Sequence, residues 1–178
     1  MSGNTRRFSG RVQAYERYRQ RYPAEAVLER LRDWCGLTPA WRVADVGAGT
    51  GMLSEVFLEN GNDVVAVEPN AEMREVCEGL RSRWPGLRVV EATAEATELE
   101  DGSVEMVAAG RAFHWFDEER ALAEFRRVLA PEGWVVLVSV GRATEPDAQS
   151  AAMERVFVEF GTDFAYVRGG HRTHERME

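Results

Sequence analysis

The stretch RVADVGAGTGMLSEVFLENG, residues 42–61, decides how this chain is read. An apolar run ending at Val46 leads into Gly47, Gly49 and Gly51, and a helical pattern built on Met52, Leu53, Val56 and Phe57 follows. Alternate glycines between a strand and a helix serve the backbone. They let it bend sharply and approach a ligand with no Cβ in the way, and the helix start behind them offers unpaired N–H donors. The bland alternative is a tight strand-to-helix turn without a ligand, which needs one glycine more often than three.

The spacing narrows the ligand. In the dinucleotide fingerprint G-x-G-x-x-G the sixth position counted from Gly47 is Met52, so the third glycine arrives one residue early. Asp45 stands two residues before Gly47, at the mouth of the strand. A carboxylate there repels a pyrophosphate and suits an ammonium group. S-adenosylmethionine carries an α-ammonium and a sulfonium and lacks phosphate, whereas NAD carries a pyrophosphate. Glu68 closes the next apolar run, DVVAV, roughly 20 residues beyond the glycines, where an acid accepts from ribose hydroxyls. Both cofactors have a ribose, so Glu68 supports an adenosyl ligand without choosing between them.

Outward from this core, strand-like and helical segments alternate. Helical patterns over 5–20 and 23–35 precede WRVADV (41–46), with Pro23 suited to a helix start. Then come a helix at 51–60, DVVAVE (63–68), a helix at 70–84, LRVVEA (87–92), SVEMVAAG (103–110), a helix at 117–130, GWVVLVSV (133–140) and a helix at 146–161. Such alternation implies βαβ units and a parallel sheet with helices on both faces. One domain is expected over 1–178, with an N-terminal helical segment (1–38), a cofactor-binding core (39–141) and a final helix and polar tail (142–178).

Composition sets outer limits. The 178 residues suffice for one sizeable core. A net charge of −8, from 22 basic and 30 acidic residues, disfavours nucleic acid as a main partner. A local patch is not excluded, because residues 5–23 are rich in arginine. No apolar run reaches the ~18 residues that span a membrane, and the start has no signal-peptide core, so neither a membrane nor an export route is expected. Cys35 and Cys77 are isolated, which argues against a metal site and makes a reducing, cytoplasmic address the default.

VADVGAGTG and VVAVEPNAEM resemble the first two motifs of the class I S-adenosylmethionine-dependent methyltransferases. TAEATELEDGSVEMVAAGRAFHWFD resembles their third-strand to fourth-strand region, and EFRRVLAPEGWVVLV the turn before their fifth strand. YERYRQRYP with RAFHWFD is similar to a small-molecule branch that includes trans-aconitate and ubiquinone/menaquinone-biosynthesis methyltransferases. That branch usually reads YRP-YP at the N-terminal segment, and Gln20 stands here for its first proline. The resemblance runs from about residue 8 to 168. It implies a Rossmann-like sheet of order 3-2-1-4-5 and S-adenosylmethionine as cofactor, with S-adenosylhomocysteine as product.

By the same resemblance, Asp45, Gly47 and Gly49 contact the methionine part of the cofactor, and Ala48, Thr50 and Gly51 shape the loop. Glu68 holds the ribose, Pro69 and Met73 pack near the adenine, and Ala94 and Glu95 flank it. Arg111 and Ala112 line the methyl-transfer end, and Tyr18 and Arg19 close over the cofactor carboxylate. A guanidinium suits that carboxylate, although Arg19 is one of several arginines in its helix.

His114, within the aromatic run Phe113–Phe116, is the only candidate base outside the tail. The competing and stronger reading makes it an orienting or packing residue, and a carboxylate acceptor needs no base. Trp115 divides evenly between lining the site and packing in the core. The resemblance also implies strands six and seven, for which this sequence has no counterpart, so the fifth strand is expected at an open edge that invites a homodimer. Two functions stay open: a methyltransferase acting on a small-molecule acceptor, and a non-catalytic module of the same fold that binds cofactor or a partner protein. An NAD-dependent oxidoreductase is a weaker third.

Overall fold

The computed structural model describes residues 12–139. The helix expected at 146–161 and the tail lie outside these residues, as does the first part of the helix expected at 5–20. Two helices come first, α1 (Val12–Tyr18) and α2 (Ala24–Cys35). They are followed by β1 (Arg42–Val46), α3 (Met52–Glu59), β2 (Asp63–Val67), α4 (Ala71–Gly79), β3 (Leu87–Val90), β4 (Val104–Gly110), α5 (Glu118–Val128) and β5 (Leu129–Val138). The five strands form one sheet of order β3-β2-β1-β4-β5, parallel at every pairing. The expected order holds.

Side-chain alternation sorts the strands into two cores. Val43, Val64 and Met106 cluster with Leu28 and Leu31 of α2, Val56 and Phe57 of α3, and Cys77 of α4. Ala44, Val46, Val67 and Val107 belong to the opposite cluster, with Ala121, Phe125 and Val128 of α5. Helix α3 buries six of its eight residues, consistent with a helix wedged between the sheet and α2.

Local chemistry sets where the helices begin and end. The Asn70 side chain accepts from Met73 N at 3.0 Å to start α4, and Asp117 accepts from Arg120 N at 3.3 Å to start α5. Glu118 and Glu119 in the first turn of α5 and Arg126 and Arg127 in its last complement the helix dipole. Gly36, at φ 72°, stops α2 in a left-handed cap.

Among the described residues two boundaries differ from the sequence reading by more than two residues. Helix α4 ends at Gly79 and tightens into a 3-10 turn, Leu80–Ser82, instead of running to residue 84. Strand β5 starts at Leu129, four residues early, because Leu129 pairs with Val104. Regular pairing resumes only at Met106 with Trp134, so the Pro131–Gly133 segment bulges out, with Glu132 at φ 63°. The run that reads as a strand in the sequence is therefore the regular part of a longer, kinked one. Among the described residues β5 is an edge strand, and Trp134, Val135 and Leu137 are exposed on it.

A polar cluster ties α5 to the loop after β3. Thr97, fully buried, donates its backbone N–H and its hydroxyl to Glu124 Oε1 at 2.8 and 2.6 Å. Arg127 grips the same carboxylate and reaches Asp101 at 2.6 Å. Chiefly through Arg127, the Glu124 carboxyl is lowered from an ordinary 4.5 to about 2. The folded value lies below the unfolded one, so this stabilisation is complete above 4.5 and lost as pH falls toward 2. Thermal melts from pH 6 down to pH 2 check this: the Glu124→Gln variant is expected to melt lower at neutral pH and to lose less on acidification than the parent.

Candidate functional site

The loop after β1 sits where the sheet reverses its winding, since β1 pairs with β2 on one side and β4 on the other. Gly47 N and Ala48 N both donate to Val67 O, at 2.9 and 3.2 Å, tying the loop to the end of β2. Glu68 completes the tie. Its Oε2 accepts from Gly49 N and its Oε1 from Asn70 N, both at 2.8 Å. Burial raises its carboxyl above the usual range, against these two hydrogen bonds and the nearby Arg74 charge.

The three glycines are needed for different reasons. A Cβ on Gly47 would lie 2.7 Å from Ala112 Cβ and 3.0 Å from the Phe116 ring. One on Gly51 would lie 2.7 Å from Leu80 Cδ1 and 2.9 Å from Cys77 Sγ. Of the three, only Gly49, at φ 60°, faces open space. Two of the glycines admit the protein's own packing, and the third presents bare backbone to open space.

A small cavity of about 30 Å³, room for a group the size of a water or an ammonium, opens against this loop. Its walls include Tyr22, Asp45, Gly49, Thr50, Gly110 and Arg111. Asp45 is fully buried; its Oδ2 accepts from Ser54 Oγ at 2.7 Å, and its Oδ1 has no partner among the described residues. The Thr50 hydroxyl is likewise buried without a partner among these residues. Desolvation pushes the Asp45 carboxyl up from 3.8 to about 7, with the Glu68 charge adding to the rise and the Ser54 hydrogen bonds opposing it. A buried carboxylate with an open lone pair is a receptor for a cation or a strong donor. These acceptors therefore fit an ammonium-bearing ligand.

The remaining expected residues divide. Met73 and Ala94 are buried and Pro69 is half-buried. Glu95 Oε1 accepts from Asp117 N at 2.9 Å, so this acid also helps start α5. Ala112 packs behind Gly47, and Arg111 lines the cavity. Tyr18 is 77% exposed, Arg19 and His114 are exposed, and none of the three lines the cavity. His114 lies on a 3-10 turn, Phe113–Trp115, with its ring 4.6 Å from that of Trp115. Phe116 anchors that turn edge-on against Phe125, ring centres 6.3 Å apart.

Three residues escape the sequence reading: Tyr22, Ser54 and Gly110. Ser54 has a readable signal, a hydroxyl amid the apolar face of α3. Tyr22 and Gly110 have none, because their meeting depends on where the N-terminal segment crosses the sheet.

The chain matches the methyltransferase domain family over residues 44–137. It belongs to the class I S-adenosylmethionine-dependent methyltransferases. An uncharacterized methyltransferase of Mycobacterium tuberculosis is 45% identical over 131 residues, 74% of this chain and 51% of the relative. A malonyl-[acyl-carrier protein] O-methyltransferase of Methylococcus capsulatus is 36% identical, covering 74% of this chain and 48% of its own. The chain thus spans about half the length of these curated relatives. A solved putative type II methyltransferase from Anaeromyxobacter dehalogenans superposes with a TM-score of 0.63 at 29% identity, covering 90% of this chain and 62% of that one. S-adenosylmethionine is the cofactor of this methyltransferase family.

Asp45 makes the cradle of this methyltransferase fold costly to maintain. Its folded value of about 7 exceeds its unfolded value, so the stability it contributes is complete below about 4 and declines as pH rises toward 7. Replacing the carboxylate with an amide keeps an acceptor for Ser54 and removes the charge. The Asp45→Asn variant is expected to melt higher than the parent at pH 8, with the difference vanishing toward pH 4, and to bind cofactor more weakly. Melting curves across that range, paired with calorimetric titration, check both halves.

Proposed function

We propose that this chain binds S-adenosylmethionine in the glycine-loop cradle and transfers its methyl group to a small-molecule acceptor. The observation that carries this reading is the orphaned, fully buried Asp45 carboxylate oxygen beside the bare backbone of Gly49. Asp45 receives the ammonium, with Thr50 beside it and Gly47, Ala48 and Gly51 shaping the loop. Each Glu68 oxygen keeps a second lone pair beyond its backbone bond, and these accept from the two ribose hydroxyls. Pro69, Met73, Ala94 and Glu95 surround the adenine.

The cofactor, when bound, supplies an electrophilic methyl on a sulfonium. The protein's part is to hold that methyl in line with the acceptor and to exclude water. Arg111, Ala112 and the aromatic turn Phe113–Phe116 stand at the fourth-strand end that faces this exchange. An acceptor that is already an anion needs no base. For one that must lose a proton, His114 stands at the rim as the candidate, reaching the acceptor only if the acceptor extends there.

A second reading keeps the cofactor and drops the turnover. It is favoured by the exposure of His114, which is not among the residues lining the cavity. The glycine spacing and Asp45 oppose the third reading, an oxidoreductase using NAD. The two free cysteines suit a cytoplasmic address. Among the described residues no helix is long and apolar enough to cross a membrane.

Calorimetric titration with S-adenosylmethionine, S-adenosylhomocysteine and NAD separates these readings. The first two are expected to bind and NAD is not; NAD binding alone would sink the proposal. Cofactor binding with no methylation across a panel of carboxylate and phenol acceptors would favour the second reading. The Glu68→Ala variant is expected to lose about 1–3 kcal/mol of cofactor affinity.

The exposed edge of β5 also supports pairing with a second copy of the chain. Light scattering coupled to size exclusion is expected to show a dimer that the Leu137→Lys variant dissociates; a monomeric parent would end that part of the proposal.

A further inference from the structure

Helix α5 starts on a bond supplied from outside itself. In a capping box the cap side chain accepts from the amide three residues on, and the side chain at that third position reaches back to accept from the cap's own N–H. Asp117 performs the first half, accepting from Arg120 N. The second half needs an acceptor at residue 120, and a guanidinium carries donors alone. Glu95, 22 positions upstream, takes that place: its Oε1 accepts from Asp117 N at 2.9 Å.

The backbone around Glu95 is firmly held. It lies in a tight turn that Ala96 N closes on Thr93 O at 3.3 Å, between the buried Ala94 and the fully buried Thr97. Thr97 fastens this loop to Glu124, about two turns along the same helix. The two joints differ in exposure. Thr97 is sealed from solvent, whereas Asp117 is exposed and Glu95 half-buried, so water competes for the joint at the helix start. That joint closes the aromatic run Phe113–Phe116, whose beginning rests on the glycine loop through Ala112. Inside the run, Trp115 N donates to Ala112 O at 2.9 Å and Phe116 N to Phe113 O at 3.0 Å. The run is therefore braced within itself and moored at each end to a wall of the proposed cradle.

We propose that Glu95 is a positioning residue for the methyl transfer: by holding Asp117 N on one oxygen and the adenine end of the cofactor on the other, it makes cofactor occupancy order the aromatic turn that meets the acceptor. This inference rests on the cofactor reading above. The bond to Asp117 N uses one of the four acceptor sites of a carboxylate, and the exocyclic amine of an adenine is a donor for another. Accepting from that amine fixes the Glu95 rotamer, and a fixed rotamer keeps Oε1 on Asp117 N. The acceptor surface is then complete only with the methyl donor in place, which favours cofactor binding before acceptor.

Hydrogen–deuterium exchange of the full chain, read by mass spectrometry with and without saturating S-adenosylhomocysteine, tests this. In the parent the ligand is expected to slow exchange at residues 46–52 and, by about 3–10-fold, at residues 115–117. Glu95→Gln keeps an oxygen for Asp117 N but turns an amide donor toward the adenine amine. It is expected to match the unliganded parent at 115–117 and to lose the ligand-induced slowing there, while 46–52 still responds. Glu95→Ala, which removes the cap bond as well, is expected to exchange faster at 115–117 with or without ligand. A merely structural Glu95 would leave the ligand effect at 115–117 equal in the parent and Glu95→Gln, and that result would overturn the proposal. So would a parent whose 115–117 segment ignores the ligand while 46–52 responds. Either result leaves the cofactor reading standing, whereas no response at either segment of the parent would overturn both.

Discussion

The cradle depends on one carboxylate serving two backbone turns. Glu68 accepts from Gly49 N, in the loop after β1, and from Asn70 N, at the start of α4. Among the described residues the loop is otherwise fastened by Gly47 and Ala48 on Val67 O, by its own Gly51 to Ala48 bond and by Glu55 N on Gly51 O. Without Glu68 the middle of the loop, the part that faces open space, has no anchor. Arg74 steadies the acid from behind by donating to the carbonyls of Glu68 and Pro69 at 3.0 and 3.2 Å. The hydrogen bonds that shape the loop therefore also place an acceptor beside it.

Close by sits a second buried acid, and the two oppose each other. Burial raises both carboxyls, and the Glu68 charge makes Asp45 still harder to ionise. Among the described residues Asp45 has Ser54 alone as a partner, while Glu68 has two backbone donors. The fold satisfies Glu68 internally and leaves Asp45 to be satisfied from outside. That asymmetry distinguishes a scaffold acid from a receptor acid. It also explains why a ligand with positive charge suits the site and a pyrophosphate does not.

Much of this is legible in the sequence because it follows from local rules. Apolar runs at period two and helices at period 3.6 mark the elements, and the early third glycine with Asp45 points to the ligand chemistry. Read in sequence, all three glycines serve ligand approach, whereas Gly47 and Gly51 make room for Ala112, Phe116, Leu80 and Cys77. Those contacts join segments far apart in the chain, and no local pattern encodes them. The same holds for Tyr22. It stands just past an arginine-rich helical pattern, with nothing local to mark it, and meets Arg111 across 89 positions. The bulge in β5 is hidden for a different reason: Leu129 and Ala130 fit a helix end as well as a strand start.

The contact of Gly47 with Ala112 and Phe116 couples the two sides of the site. The donor loop packs directly on the turn that leads to the aromatic run, so neither surface can change shape alone. On the proposed function, a lineage drifting toward a new acceptor by altering residues 112–116 would disturb the loop proposed to hold the methyl donor. Substitutions in the turn should then be tolerated only in certain backgrounds, a form of epistasis written in van der Waals radii. Variation in acceptor choice is channelled toward parts of the protein that do not touch Gly47.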